Sequence, residues 1–153
     1  MNRRGFTFVE LMTVISIIGL LASIALPKYQ ALRQRAIAAE IVVNVRTLRL
    51  GAFQYNESSG GWPATTPLGM VPTGVEPYLP GDGSTVLRGP NYAIGWSSTS
   101  DPTSNAPIQM IQVALTNGTL CVAAYGLLGG ASNADVLASC GATGGNVFVT
   151  VDR

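Results

Sequence analysis

The feature that most constrains this chain is an apolar stretch of 21 residues, 6–26, that lies almost at its start. As an α-helix it would be about 32 Å long, which matches the hydrocarbon core of a bilayer at about 30 Å. The stretch nevertheless contains one carboxylate, Glu10. Because an ionised group near a bilayer centre costs at least about 2.5–3.5 kcal/mol, we expect a partner that neutralises Glu10.

Basic residues before the stretch indicate how it would be oriented in a membrane. Arg3 and Arg4, with the initiator amine, favour a cytoplasmic N-terminus, which would place everything after Pro27 on the outer side of the membrane. A secretory signal peptide is an alternative, since residues 23–25 read small-x-small, but the stretch exceeds the usual length of about 7–15 residues. A plain single-pass anchor is another alternative, and it leaves Glu10 unexplained.

The residues "RRGFTFVELMTVISIIGLLASIALPKYQ" resemble the N-terminus of the type IV pilin superfamily. This superfamily includes pilins and the pseudopilins of type II secretion and competence systems. A short basic leader ends in Gly5, and it is followed by Phe6, by "TFVEL", by the apolar stretch and by Pro27. The resemblance is close over about the first 30 residues and extends as a general pattern over the rest.

The resemblance implies that a prepilin peptidase cleaves after Gly5 and methylates the new amine of Phe6. Glu10 would then face such an amine on a neighbouring subunit and set the register of a helical homo-oligomeric filament, since opposite charges attract strongly in a low dielectric. The alternative role for Glu10 is a carboxylate favoured by the helix dipole. The precursor would lie in the inner membrane with a periplasmic head, and assembly machinery there would build a surface pilus or a periplasmic pseudopilus.

The helical pattern continues beyond Pro27 in a stem. Pro27 lacks a backbone N–H and Gly19 is a poor helix former, so both are predicted to bend or soften the helix. Two apolar stripes follow at helical spacing. The first consists of Ile37, Ile41, Val45, Leu48, Ala52 and Tyr55, and the second of Tyr29, Leu32, Ala36, Val43 and Leu50. We expect the first stripe to cover a sheet of the same chain and the second to meet neighbouring stems; alternatively, one head buries both. "NESSGG" at 56–61 ends the helix.

Charge divides the rest of the chain into two parts. Residues 28–57 hold five basic and two acidic residues, whereas residues 58–153 hold five acidic and two basic ones. This asymmetry predicts either two solvated surfaces or contacts between the head of one copy and the stem of the next.

A proline-rich stretch and a series of strand patterns make up the head. Six of the nine prolines lie between residues 60 and 91, which indicates an ordered connecting loop that the resemblance equates with the pilin αβ-loop. Strands are predicted at 91–96, 108–115, 119–128 and 146–151, with a hairpin loop at 116–118 and a short helical turn at 133–139 capped by Asn133. The predicted fold class is α+β: a long N-terminal helix on an antiparallel sheet of about four strands.

The predicted organisation follows from these patterns. A leader occupies residues 1–5, a transmembrane and filament-core helix 6–27, and an amphipathic stem 28–57. The αβ-loop occupies 58–90, and the sheet head with a C-terminal disulfide region occupies 91–153.

The two cysteines, Cys121 and Cys140, predict a disulfide if the head lies outside the cytoplasm; buried free thiols are the alternative. Closing about 20 residues would stabilise the fold by roughly 3 kcal/mol. The resemblance adds that many pilins staple their C-terminal region in this way.

Little in the chain favours catalysis. The sequence has no histidine, and it shows neither a nucleophile–base pair nor a phosphate-binding loop, so we expect no enzyme and no cofactor. A net charge of +1 argues against nucleic-acid binding. Glu76, Asp101 and Asp135 do not have the spacing of a calcium loop. A pseudopilin, or a membrane-anchored protein whose head binds a ligand, are the alternatives to a pilin.

Overall fold

The computed structural model describes residues 6–81, 83–100 and 105–152. Over this part of the chain the fold is α+β, as predicted. The helices are α1 (Phe8–Ser59), α2 (Ser84–Leu87) and α3 (Gly118–Leu127). The strands are β1 (Arg88–Gly89), β2 (Tyr92–Ser100), β3 (Pro107–Leu115), β4 (Val136–Gly141) and β5 (Gly144–Asp152). The chain divides into two compact units, Met1–Arg33 and Gln34–Arg153, and α1 contributes to both.

The first unit is the apolar beginning of α1. The helix continues through Gly19 and Pro27. A window of 18 residues in α1 reaches a mean hydropathy of 2.3, and none of it is buried. The helix is therefore long and apolar enough to cross a membrane, by length and composition. The bend at Gly19 and Pro27 stays a prediction.

The second unit packs the stem part of α1 against a sheet. Ile41, Leu48 and Ala52 of the first stripe are fully buried, and Val45 is nearly so. The second stripe points away, with Val43 60% exposed. The first stripe thus covers the sheet as predicted, and the alternative in which one head buries both stripes is wrong. The helix ends at Ser59, and Gly60 exits in the left-handed region at φ 74°, as predicted from "NESSGG".

The sheet has five antiparallel strands in the order β1-β2-β3-β5-β4. The patterns at 91–96, 108–115 and 146–151 correctly predicted β2, β3 and β5. Burial alternates along β3 and β5, since one face of each strand meets the core and the other does not. The register places Trp96 beside Ile111, and Ile111 beside Val149, in one row under the helix.

Three predictions in the head are wrong: a strand, a hairpin loop and a helical turn. Residues 119–128, predicted as the returning strand, form helix α3, and Asn117 caps this helix rather than forming a hairpin loop. Residues 133–139 are predicted as a helical turn, but strand β4 begins within them at Val136, which pairs with Val149 of β5. Asn133 lies between α3 and β4, and its side-chain oxygen accepts a hydrogen bond from the backbone N–H of Asp135 at 3.0 Å.

The proline-rich loop is anchored by aromatic rings. The ring of Trp62 stacks on that of Trp96 at 5.9 Å and meets Phe53 edge-on at 5.2 Å. The indole N–H of Trp96 donates to the carbonyl of Pro63 at 3.1 Å. The end of α1, the loop and β2 therefore share one aromatic cluster, which explains why a segment so rich in proline is ordered.

Candidate processing and assembly site

The N-terminus of α1 is closed by a reciprocal cap between Thr7 and Glu10. The backbone N–H and the hydroxyl of Thr7 both donate to one carboxylate oxygen of Glu10, at 2.9 and 2.8 Å. The backbone N–H of Glu10 approaches the Thr7 hydroxyl at 3.3 Å, and the carbonyl of Thr7 accepts the first helical bond from Leu11. This is a capping box, in which two helix-end donors are satisfied within the chain.

The sequence interpretation missed this cap, although its signal was present. The letters T-x-x-E before an apolar run are the pattern of a capping box. The structure thus gives Glu10 a role within its own chain, beside the predicted role between chains. Only one of its two carboxylate oxygens is engaged by Thr7, so the other remains able to accept a further donor.

The other polar side chains of the apolar segment satisfy themselves on the helix. The hydroxyl of Thr13 donates to the carbonyl of Glu10 at 2.9 Å, Ser16 donates to Met12 at 2.8 Å, and Ser23 donates to Leu20 at 2.8 Å. Because these hydroxyls bond to the preceding turn, they can enter an apolar environment without an unmade hydrogen bond. Glu10 is therefore the one ionisable group that the segment must accommodate.

The predicted cleavage and methylation position lies at the edge of the described chain. Phe6 precedes the helix and is 82% exposed. Gly5, together with the leader arginines Arg3 and Arg4, lies outside the described residues. Farther along, a Cβ added at Gly19 would meet no atom within 4 Å, so packing within the chain does not require glycine there.

A hydrogen-bonded network holds the stem on the head. The hydroxyl of Tyr92, on β2, donates to the carboxylate of Glu40 at 2.7 Å and accepts from the amide of Asn44 at 2.8 Å. Burial, with the neighbouring Glu40 carboxylate adding to it, raises the pKa of Tyr92 to about 12. Tyr92 is 3% exposed and stays protonated at any physiological pH. Sequence reasoning missed this network, because 52 residues separate Tyr92 from Glu40.

The predicted disulfide joins α3 to β4. Cys121 of α3 and Cys140 of β4 are bonded, 19 positions apart in the sequence. The start of α3 is fixed by Asn117, whose side-chain oxygen accepts from the backbone N–H groups of Thr119 and Leu120 at 2.9 and 3.3 Å. The helix and the edge strand therefore form one covalently linked layer at the end of the chain.

Within the part of the chain that the structure describes, no three His, Cys, Asp or Glu residues cluster as a metal site would require. One of the acidic residues considered above, Asp101, lies outside that part.

Comparison with known proteins finds a matching family model and several similar proteins. A family model, the prokaryotic N-terminal methylation motif, matches residues 1–26. The type IV major pilin protein PilE1 of Neisseria gonorrhoeae is 38% identical over 69 residues, which are 45% of this chain and 32% of that protein. A fimbrial protein of Neisseria meningitidis serogroup B is 36% identical over 74 residues, 48% of this chain and 44% of its own.

A further relative and the extent of the matches complete the comparison. The fimbrial protein EcpC of Eikenella corrodens is 46% identical over 63 residues, 40% of this chain and 40% of its own. The chain thus spans 32% to 44% of the length of these curated relatives. No solved structure matches it at the required significance.

Proposed function

We propose that this chain is a member of the type IV pilin superfamily and a structural subunit of a type IV pilus-like filament. The observation that carries the proposal is the apolar helical segment within the matched methylation motif: an 18-residue window of helix α1 is 0% buried. So large an exposed apolar surface is not stable in water and must be covered by lipid or by other proteins. Lipid covers the segment in the membrane precursor, and neighbouring subunits cover it in the filament.

The proposed processing begins at the N-terminus. A prepilin peptidase hydrolyses the bond between Gly5 and Phe6 on the cytoplasmic side, and the freed amine of Phe6 is then methylated and keeps its positive charge. Support comes from the methylation motif at residues 1–26 and from the exposure of Phe6 ahead of the helix. A peptidase can reach a bond next to a residue outside a hydrogen-bonded helix more readily than a bond inside the helix.

The proposed assembly uses Glu10 as the register group. One carboxylate oxygen is held by Thr7, and the other faces the charged amine of Phe6 on a neighbouring copy. In an apolar filament core a misplaced subunit would leave Glu10 buried and unpaired, at a cost of about 3–5 kcal/mol. The outward stripe on α1, including Val43 and Leu50 at 60% and 64% exposure, would pack against neighbouring stems.

The role is structural rather than enzymatic, and the relatives favour a pilus. The similar proteins are named as pilins and fimbrial proteins, which favours a surface filament over the pseudopilus of a secretion or competence system. In either case the precursor sits in the inner membrane, and the assembly machinery supplies the work of extracting it.

Two measurements test the proposal. Mass spectrometry of the mature protein should find a methylated Phe6 at the N-terminus, and imaging of a deletion strain should find surface fibres lost and then restored by the intact gene. An unprocessed N-terminus in cells with an active prepilin peptidase would contradict the proposal. Retained fibres with lost secretion would identify a pseudopilin instead.

A further inference from the structure

Helix α3 carries apolar side chains on both of its faces. Leu120 and Cys121 on its inner face are buried in the core of the head. On its outer face, Val122 is 61% exposed and Leu127 is 51% exposed. The sequence between residues 116 and 134, which includes the whole helix, contains no charged residue. A helix that is apolar all round is normally covered on every side, so the outer face of α3 indicates a contact surface.

An open groove of about 510 Å³ lies between this outer face and the stem part of α1. Both of its walls belong to the second compact unit of the chain. The lining residues are Arg35 and Ala39 of α1 and Val122, Ala123, Gly126 and Leu127 of α3. Of these lining residues, Arg35 alone carries a charge, so a partner that fits the groove should be apolar with a negative group at one side.

The stretch of α1 that leads to the groove carries charge of one sign. Between residues 11 and 39 the charged residues are Lys28, Arg33 and Arg35, and none is acidic. Basic residues close to a membrane span are attracted to anionic lipids by about 1 kcal/mol each, and this attraction falls off within a Debye length of about 8–10 Å. A layer of anionic lipid phosphates therefore complements this stretch in charge.

Arg35 also lies close, along α1, to the segment that would span the membrane. It comes nine positions after Leu26, and nine residues of α-helix extend about 14 Å. The headgroup layer adds about 5–8 Å to each side of the hydrocarbon core, and its electric field reaches about one Debye length farther. Arg35 at the edge of the groove is therefore within range of the lipid phosphates.

We propose that the outer face of α3 and the groove beside it rest on the lipid headgroups of the membrane that holds the precursor, an inference that rests on the proposed function. Val122 and Leu127 enter the boundary between headgroups and acyl chains, and the guanidinium of Arg35 pairs with lipid phosphates. Interfacial binding of this kind combines buried apolar area with attraction to anionic lipids. The contact holds the head against the membrane before assembly, and it is lost when the subunit leaves the membrane.

Site-specific photo-crosslinking in vesicles tests this contact. The full chain is inserted into vesicles that contain the anionic lipid phosphatidylglycerol, with the photo-reactive residue p-benzoylphenylalanine in place of Val122. The same residue in place of Leu50 is the control, because Leu50 is similarly exposed, at 64%, but lies about 22 Å beyond Arg35 along α1. We expect a covalent adduct with lipid at Val122 and none at Leu50. Lipid capture at neither position, equal capture at both, or capture of a second copy by Val122 would overturn the proposal.

A matched pair of charge substitutions gives an independent readout. Arg35→Gln should lower lipid capture at Val122 about fivefold in vesicles with phosphatidylglycerol, which corresponds to about 1 kcal/mol, and it should have a smaller effect in vesicles of zwitterionic phosphatidylcholine alone. Arg46→Gln is the control, since Arg46 is also exposed on α1 but lies about 16 Å farther along the helix. Equal effects of the two substitutions, or no effect of Arg35→Gln, would overturn the proposal.

Two further measurements separate this proposal from the proposed function. The thermal midpoint of each variant in detergent shows whether the head is folded, and resistance to extraction by alkaline carbonate shows whether the chain has inserted into the vesicles. Insertion of the folded chain without lipid capture at Val122 overturns the docking of α3 alone. If the unsubstituted chain does not insert, the proposed function itself fails and the docking proposal with it.

Discussion

The hydroxyl of Tyr92 donates to the carboxylate of Glu40 at 2.7 Å, and it thereby joins the first residue of β2 to the stem helix. Tyr92→Phe removes this bond and the one that Asn44 donates, so we expect it to lower the free energy of unfolding by about 1 kcal/mol at pH 7. Chemical denaturation of the full chain in detergent measures this. No change would mean that water replaces the network without cost.

Because the Tyr92 hydroxyl can ionise, its contribution to the free energy of unfolding should depend on pH. Its pKa is raised in the folded chain to about 12, from about 10 in an unfolded one. The stabilisation is therefore fully present below pH 10 and is lost as the pH rises through 12. Two pH units correspond to at most about 2.7 kcal/mol. The Tyr92→Phe variant is the control, because it should lose less stability than the unsubstituted chain over this interval.

Asn117 fixes where α3 begins, so its replacement should weaken the C-terminal layer. We expect Asn117→Ala to lower the free energy of unfolding by about 1 kcal/mol, because the N–H groups of Thr119 and Leu120 lose their shared acceptor. Asn117→Asp is the matched control, since its carboxylate can accept the same two bonds. Equal destabilisation by both substitutions would show that the cap is not the reason for the asparagine.

The segment around Asn117 also shows where sequence reasoning stops. A continuous apolar run such as 119–128 fits a buried strand and a buried helix equally well, since neither period is visible in it. Its alanines and leucines, behind a capping asparagine, were the better guide. By contrast β3 and β5 alternate in burial and were predicted correctly, as was the stem stripe with its period of 3.6.

The features that the sequence did not predict depend on contacts between residues that lie far apart in the chain. Strand β4 exists because β5 offers it an edge, and its own residues after Val136 are exposed and carry no strand pattern. The contact of Tyr92 with Glu40 likewise depends on how the sheet lies against the helix. The Thr7–Glu10 cap, by contrast, is local, and the pattern T-x-x-E was sufficient to predict it.

The disulfide should be a main stabiliser of the head, because it links α3 to the edge strand. Replacing Cys121 and Cys140 together by alanine should lower the free energy of unfolding by about 3 kcal/mol, as expected for a closed loop of about 20 residues. Denaturation of the unsubstituted chain with and without reductant provides the comparison. The double variant should not respond to reductant, and a response would point to another cause.

The presence of Gly19 and Pro27 in α1 predicts that the helix opens locally between these residues when subunits pack in a filament. Gly19→Ala should stabilise the helix by about 1 kcal/mol without a clash, since no atom lies within 4 Å of the added Cβ. We therefore expect slower hydrogen exchange between residues 19 and 27 in filaments of the variant than in filaments of the unsubstituted chain. Uniformly strong protection of that segment in the unsubstituted filament would contradict the hypothesis of local opening.

Glu10 has two separable roles, a cap within its own chain and a charge for a neighbouring amine. Glu10→Gln keeps an oxygen that can accept from Thr7, as glutamine does in a capping box, but it removes the charge; Glu10→Ala removes both. If the charge sets the register, both variants should insert and be processed at Phe6, yet both should assemble poorly. The measurements are mass spectrometry of the mature N-terminus and the yield of sheared filaments. Normal assembly of Glu10→Gln together with failure of Glu10→Ala would assign the role of Glu10 to the cap, because then only the hydrogen bond to Thr7 distinguishes the two.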